Sequence, residues 1–125
     1  MSLMPSRGFT KQDEMLVEYL INTGMAKNIA KTLVFLKKKN ETTSVEIETS
    51  TALRQPEVSI AMQDLRRRKW VVKRDIKKEG KGRPVHSYRL ALPFESIIKQ
   101  IEDEEARRIQ KIELNLKSLR DYSSR

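Results

Sequence analysis

The chain has 125 residues, a formal net charge of +9 at pH 7 and a sequence pI of about 9.9. Its length predicts one domain with room for one appended element. The absence of cysteine excludes disulfides and thiolate zinc sites, and no apolar run of about eighteen residues offers a membrane span. The first residues, MSLMPSRGF, lack the apolar core of a signal peptide. We therefore expect a cytoplasmic protein with no membrane partner and no cofactor, and the basic balance favours a polyanionic partner.

Two helices are predicted in the first third of the chain. The first covers residues 10–22, with Thr10 as a good N-cap. The second covers residues 25–39 and ends in three lysines, 37–39, which suit the negative end of a helix dipole or, alternatively, contact a phosphate. Each helix has an apolar face at helical spacing: Leu16, Tyr19 and Leu20 in the first, and Ile29, Leu33 and Leu36 in the second.

A helix-turn-helix pattern follows. Residues 41–43 are predicted as a linker, and Thr43 or Ser44 can cap a short helix over residues 44–51. After a brief turn, a helix from about 55 to 68 is predicted from the spacing of its apolar residues. These residues are Val58, Ala61, Met62 and Leu65.

A basic hairpin is predicted directly after that helix. Two segments rich in β-branched and aromatic residues, within about 71–91, flank the turn sequence GKGRP. Residues 54–92 carry twelve Lys or Arg against four Asp or Glu, which is +8 of the total charge of +9. A uniformly basic surface would not concentrate charge in this way. Trp70 and Tyr88 are predicted to pack in the core or sheet rather than to stack on bases.

Residues 43–92 resemble the winged helix-turn-helix domains of prokaryotic regulators in the broad MarR, ArsR and TrmB group. The resemblance lies in the run LRQPEVSIAMQDLRRRKWVVK, similar to their recognition helix, and in GKGRPVHSYRL, similar to their wing. It implies transcriptional regulation through double-stranded DNA. Three positions depart from the pattern: Ala52 replaces a frequent turn glycine, Arg54 a Ser/Thr cap, and Lys69 the glycine that ends the recognition helix. A left-handed Lys69 would cost on the order of 1 kcal/mol relative to glycine.

The polar face of the 55–68 helix supplies the candidate DNA contacts. Gln, Ser and Ile side chains can bond to base edges or pack on thymine methyls, and Arg and Lys bind phosphates. The candidates for base readout are Gln55, Ser59, Ile60 and Gln63. The candidates for the phosphate backbone are Thr43, Arg54, Arg66, Arg67, Lys73 and Lys77, with Lys81 and Arg83 at the wing tip. The alternatives are a merely solvated helix face and a basic edge strand that blocks aggregation.

The last predicted element is a long helix within residues 93–123. Its apolar residues follow steps of three and four, with Glu105 inside the pattern. We call this stripe the C-terminal seam: Ile98, Ile101, Glu105, Ile109, Ile112, Leu116 and Leu119. Its apolar members are the candidate dimer interface, in either a parallel or an antiparallel pair. A two-fold dimer predicts half-sites about 34 Å apart or a multiple of that.

The predicted fold class is therefore mostly α with a small β-hairpin wing (α+β). A winged helix-turn-helix domain over residues 10–92 precedes the dimerisation helix over 93–123. The predicted function is that of a homodimeric, sequence-specific regulator of double-stranded DNA, with a small-molecule effector left open. The alternatives are a non-specific DNA-organising protein and a protein-interaction module. No phosphate loop, nucleophile motif or metal-ligand cluster favours an enzyme, and the single histidine, His86, cannot form a metal site by itself.

Overall fold

The computed structural model describes residues 8–76 and 85–125, and its elements agree with the predicted fold class. A three-stranded antiparallel sheet accompanies the helices. The elements in chain order are α1 (Lys11–Asn22), α2 (Lys27–Lys38), β1 (Thr42–Thr43), α3 (Ser44–Thr51), α4 (Gln55–Arg67), β2 (Val71–Ile76), β3 (Val85–Leu90) and α5 (Phe94–Ser123). The chain divides into two compact units, of which the first ends at Leu92 and the second begins at Pro93. No helix in the described ranges combines the length and the apolarity that crossing a bilayer requires.

Helix α1 buries a stripe that differs from the predicted one. Val17 and Leu20 are buried together with Asp13, whereas Tyr19, predicted on the apolar face, is 59% exposed. Asp13 can be buried because Lys38 Nζ lies 2.5 Å from its Oδ2. A charged residue enters a core only with such a partner, so apolar spacing alone did not find this stripe.

The Asp13 carboxylate also completes the cap of α1, since it accepts the Thr10 backbone N–H at 2.8 Å. Burial opposes its ionised form, but hydrogen bonds from Lys38 and Thr10 outweigh burial and hold the pKa of Asp13 below its ordinary value. We expect Asp13→Asn to lower the free energy of unfolding near pH 7 by about 1.5–3 kcal/mol, the typical worth of a hydrogen bond to a charged group.

A carboxyl whose pKa is lower in the folded state than in the unfolded state stabilises the fold at pH values above its unfolded-state pKa. This stabilisation is lost as the pH falls through the folded-state pKa. The difference between wild type and Asp13→Asn should therefore shrink in acid. Urea unfolding at neutral pH and again well below the ordinary carboxyl pKa checks this. Glu14→Gln, an exposed change in the same turn, is the control and should show no such difference. An equal difference at both pH values would contradict the prediction.

Helices α3 and α4 form the helix-turn-helix. Thr43 caps α3: its hydroxyl accepts the Glu46 N–H at 3.2 Å, and the Glu46 carboxylate accepts the Thr43 N–H at 3.0 Å. The turn between the helices places Ala52 in the left-handed region, with φ 58°. At the start of α4 the Arg54 backbone N–H donates to Glu57 Oε1 at 2.8 Å, so Glu57 supplies half of a capping box there.

The sheet has the strand order β1-β3-β2. The prediction of a linker at residues 41–43 was wrong in part, because Thr42 pairs with Tyr88 and Thr43 with Ser87 as β1. A two-residue strand is too short to show an alternation of apolar and polar residues. It forms because its backbone N–H and C=O groups hydrogen-bond to the free edge of β3. Trp70 is buried immediately before β2, as its predicted packing role requires.

Lys69 ends α4 in the left-handed conformation, with φ 65°. Its N–H donates to Arg66 O at 2.9 Å and the Trp70 N–H donates to Leu65 O at 3.1 Å, which is the hydrogen-bond pattern of a Schellman motif. The position favours glycine because a Cβ is strained there. We expect Lys69→Gly to raise the free energy of unfolding by about 1 kcal/mol in urea titrations. Lys69→Ala removes the same charge but keeps a Cβ, and it should give no such gain; equal gains in both variants would contradict the argument.

Candidate nucleic-acid interface

Helix α4 has one buried face and one exposed face. Its inner face is formed by the four residues predicted from spacing, all buried: Val58, Ala61, Met62 and Leu65. On the outer face, Gln55 and Gln63 are exposed, Ser59 is half-buried, and Ile60 is 65% exposed. The four candidates for base readout are thus accessible on one helix.

A groove runs between α4, α3 and the sheet. Its volume is about 210 Å³, and three of the four readout candidates border it: Gln55, Ser59 and Gln63. Arg66 and Lys73 also line it, so two of the phosphate candidates lie beside the base-readout candidates. The remaining lining residues are Ser44, Glu48, Val58, Met62, His86 and Tyr88. The groove therefore combines two cations with several hydrogen-bonding side chains.

The strand register explains why the sheet contributes to this groove. Lys73 lies opposite Tyr88, and two residues further along Asp75 lies opposite His86, so these four residues share one face of the hairpin. Asp75 Oδ1 lies 2.7 Å from His86 Nδ1. The hydrogen bond to His86, together with the charges of Lys73 and Arg66, lowers the pKa of Asp75 despite partial desolvation. The groove thus also holds one carboxylate, that of Glu48, and a second, Asp75, is bonded to the groove residue His86.

The other phosphate candidates of the described chain are mostly exposed. The side chains of Arg54 and Arg67 lie at the surface, and Arg67 pairs loosely with Asp64 at 3.5 Å. An exposed pair of this kind contributes little, so Arg67 remains able to bind another anion. Thr43 is the exception, since its hydroxyl is already engaged in the cap of α3.

Three strand residues outside the predicted set also belong to this part of the molecule. His86 and Tyr88 line the groove, and Arg74 on the opposite face of β2 pairs with Glu41 at 2.6 Å. Contact with Arg74 lowers the pKa of Glu41. The strand register would have been needed to find these residues. The predicted contacts Lys77, Lys81 and Arg83 lie outside the described residues. Within residues 8–76 and 85–125, no three His, Cys, Asp or Glu side chains cluster as metal ligands would.

The C-terminal seam lies along α5. Its later apolar residues are exposed by half or more, and Ile98 and Ile101 are half-buried. The four exposed members are Ile109, Ile112, Leu116 and Leu119. Large apolar side chains at helical spacing on a surface are typical of an association face.

No family model and no curated protein matches the chain. Solved structures do share its fold. A possible transcriptional regulator from Methanosarcina mazei has a TM-score of 0.59 at 17% identity, over 76% of this chain and 83% of its own. TrmBL2, an archaeal chromatin protein with a novel mode of DNA binding, has a TM-score of 0.59 at 19% identity. That match covers 88% of this chain but 40% of TrmBL2.

A mutant MarR from E. coli in complex with operator DNA has a TM-score of 0.50 at 21% identity, over 74% of this chain and 64% of its own. This chain thus spans less than two thirds of TrmBL2 and of MarR. At such identities the similarity concerns the fold. The chain has the winged helix-turn-helix fold found in MarR-like and TrmB-like transcriptional regulators.

Proposed function

We propose that this protein is a homodimeric, sequence-specific transcriptional regulator of double-stranded DNA. The observation that carries the proposal is the outer face of α4, where exposed Gln and Ile side chains and the half-buried Ser59 lie beside a groove lined by Arg66 and Lys73. An α-helix fits the major groove of B-DNA, and the first turns of a recognition helix usually meet the base edges. The MarR structure with operator DNA gives a precedent for DNA binding by this fold.

The two kinds of side chain have different tasks in this proposal. Gln55, Ser59, Ile60 and Gln63 inspect base edges, and Arg66 and Lys73 neutralise phosphates on the flanking backbone. Arg54 and Arg67, at the two ends of α4, extend the phosphate contacts along the duplex. The hairpin formed by β2 and β3 lies on the backbone or minor groove, as the wing of the fold. In this division the charged side chains supply affinity for DNA. The amide and hydroxyl groups and the apolar contact of Ile60 supply sequence specificity.

The homodimer rests on the exposed seam of α5. A second copy of α5 removes from water the apolar side chains of Ile109, Ile112, Leu116 and Leu119. Two copies of α4 then meet DNA in one complex, which predicts a palindromic site.

Selection of bound fragments from random duplex DNA tests the proposal. The selected duplex should be preferred by roughly 10³-fold or more over scrambled duplex at the same salt concentration. A chromatin-like protein, the alternative that the similarity to TrmBL2 favours, should bind both with nearly equal affinity. Failure to bind any duplex even in dilute salt would overturn both DNA-binding functions. The remaining hypothesis would then be a protein-interaction module.

Gln63→Ala gives a sharper test of base readout. A glutamine paired with adenine N6 and N7 is worth about 1–3 kcal/mol of discrimination at one base pair. We expect the variant to lose its preference at that base pair while its affinity for random duplex stays the same. Fragment selection repeated with the variant measures this. Gln12→Ala on α1 is the matched control and should keep the wild-type preference. An unchanged preference in Gln63→Ala would remove Gln63 from the readout set.

A further inference from the structure

We propose that the two α5 helices of the dimer pair antiparallel over their whole length, about a two-fold axis at the helix midpoint. The proposal rests on the homodimer proposed above and adds its orientation and register. The partner is therefore a second copy of this chain, and the surface is the C-terminal seam.

The first argument is the charge distribution along α5. Residues 94–108, the half of α5 before its midpoint, contain five Asp or Glu and three Lys or Arg, a net charge of −2. Residues 109–123, the half after the midpoint, contain three Lys or Arg and two Asp or Glu, a net charge of +1. A parallel pair would place each half beside its own copy, with like charges facing each other. An antiparallel pair places the acidic half against the basic half and also opposes the two helix dipoles.

The second argument is the spacing of the seam. Helix α5 spans Phe94–Ser123, so its midpoint falls between residues 108 and 109. Six of the seven seam members form mirror pairs about this midpoint, and the seventh, Ile109, lies next to it. The matching pairs are Ile98 with Leu119, Ile101 with Leu116, and Glu105 with Ile112. An antiparallel dimer aligned at both helix ends brings these pairs into the same layers. A parallel dimer does not require this symmetry, because each residue there meets its own copy.

Charge also selects the register. A shorter overlap that pairs only the exposed seam residues would place Ile109 opposite the partner's Leu119. In that register the basic half of α5 faces the basic half of the partner's α5. The acidic residues 102–105 then lie near the C-terminal end of the partner helix. The full-length register instead places Glu104 within two residues of the level of the partner's Lys111, and Glu102 within two residues of the level of the partner's Lys117. The exposed seam and the charge distribution therefore agree on one arrangement.

Cysteine cross-linking tests the arrangement without background, because the natural chain has no cysteine. A disulfide needs Cα atoms within about 7 Å. In the proposed pair, the two copies of residue 119 lie about 32 Å apart along the axis, as do the two copies of residue 98. Leu119→Cys alone and Ile98→Cys alone should therefore remain uncross-linked on mild oxidation. The double variant Ile98→Cys/Leu119→Cys should cross-link, and peptide mass mapping should join residue 98 of one chain to residue 119 of the other.

Ile109→Cys is the control, because residue 109 lies next to the axis and meets its own copy in either orientation. A monomer by sedimentation, with no cross-link in Ile109→Cys, would overturn the homodimer itself. Cross-linking of Leu119→Cys to itself would overturn the antiparallel orientation while the dimer stands. A dimer by sedimentation in which Ile109→Cys does not cross-link to itself, and in which residues 98 and 119 do not link, would overturn the register. Binding of wild type to duplex DNA is measured separately, so failure of the DNA function is distinguishable from each of these outcomes.

Discussion

Arg66→Ala combined with Lys73→Ala should lower the affinity for every duplex by about 60-fold at 0.1 M salt. Each phosphate contact releases counterions worth about 0.9 in the slope of log affinity against log salt, which is about eightfold per contact at this concentration. The double variant should therefore also have a salt slope shallower by about 1.8. Both side chains line the groove beside α4, so both losses fall on the same proposed phosphate surface. Fluorescence anisotropy with a labelled duplex, over a series of salt concentrations, measures both quantities.

The control for this prediction removes the same charge elsewhere. Lys11 is exposed on α1 and Arg107 is exposed on α5, and neither lines the groove. Lys11→Ala combined with Arg107→Ala should leave the salt slope near its wild-type value. Thermal unfolding of both variants excludes loss of the fold as the cause of weaker binding. A weakened affinity with an unchanged slope in the Arg66 and Lys73 variant would contradict direct phosphate contact.

Sequence periodicity was sufficient for the long elements of this fold. The steps between Val58, Met62 and Leu65 defined the buried face of α4, since a helix repeats every 3.6 residues and a core accepts one stripe. The uninterrupted run after Pro93 predicted α5, because neither glycine nor proline breaks it. The left-handed conformation of Lys69 was raised as a condition by the family resemblance, since Lys69 stands where the family commonly has a glycine that ends the recognition helix, and Lys69 does adopt it.

Features that depend on pairing could not be predicted in the same way. Strand β1 has two residues, which is too short for any alternation, and only the free edge of β3 explains it. The buried Asp13 depends on Lys38, which is 25 residues away in the chain. His86 and Tyr88 enter the groove through the hairpin register, which sequence spacing leaves open when the turn length is unknown. The readout candidates on α4 needed only a helix, and for that reason they could be selected before the groove was known.

Leu116→Asp should dissociate the proposed dimer and lower the affinity for a two-half-site duplex by roughly 10²–10⁴-fold. A charge placed in the C-terminal seam cannot be desolvated against a second apolar helix without a large cost. The monomer then binds one half-site at a time and loses the effective concentration that linkage supplies. Affinity for a duplex with a single half-site should stay close to wild type, because the groove beside α4 is unchanged.

Helix α5 offers a closely matched control for this prediction. Leu114 and Leu116 are both 59% exposed and belong to the same helix. Two residues apart on a helix means about 200° around its axis, so Leu114 points away from the seam. Leu114→Asp therefore carries the same loss of helix propensity and the same added charge without touching the proposed interface. Sedimentation should find Leu114→Asp dimeric and Leu116→Asp monomeric at equal concentration. If both variants are monomeric, α5 associates through a broader surface than the seam. If both variants are dimeric, the seam is not part of the interface.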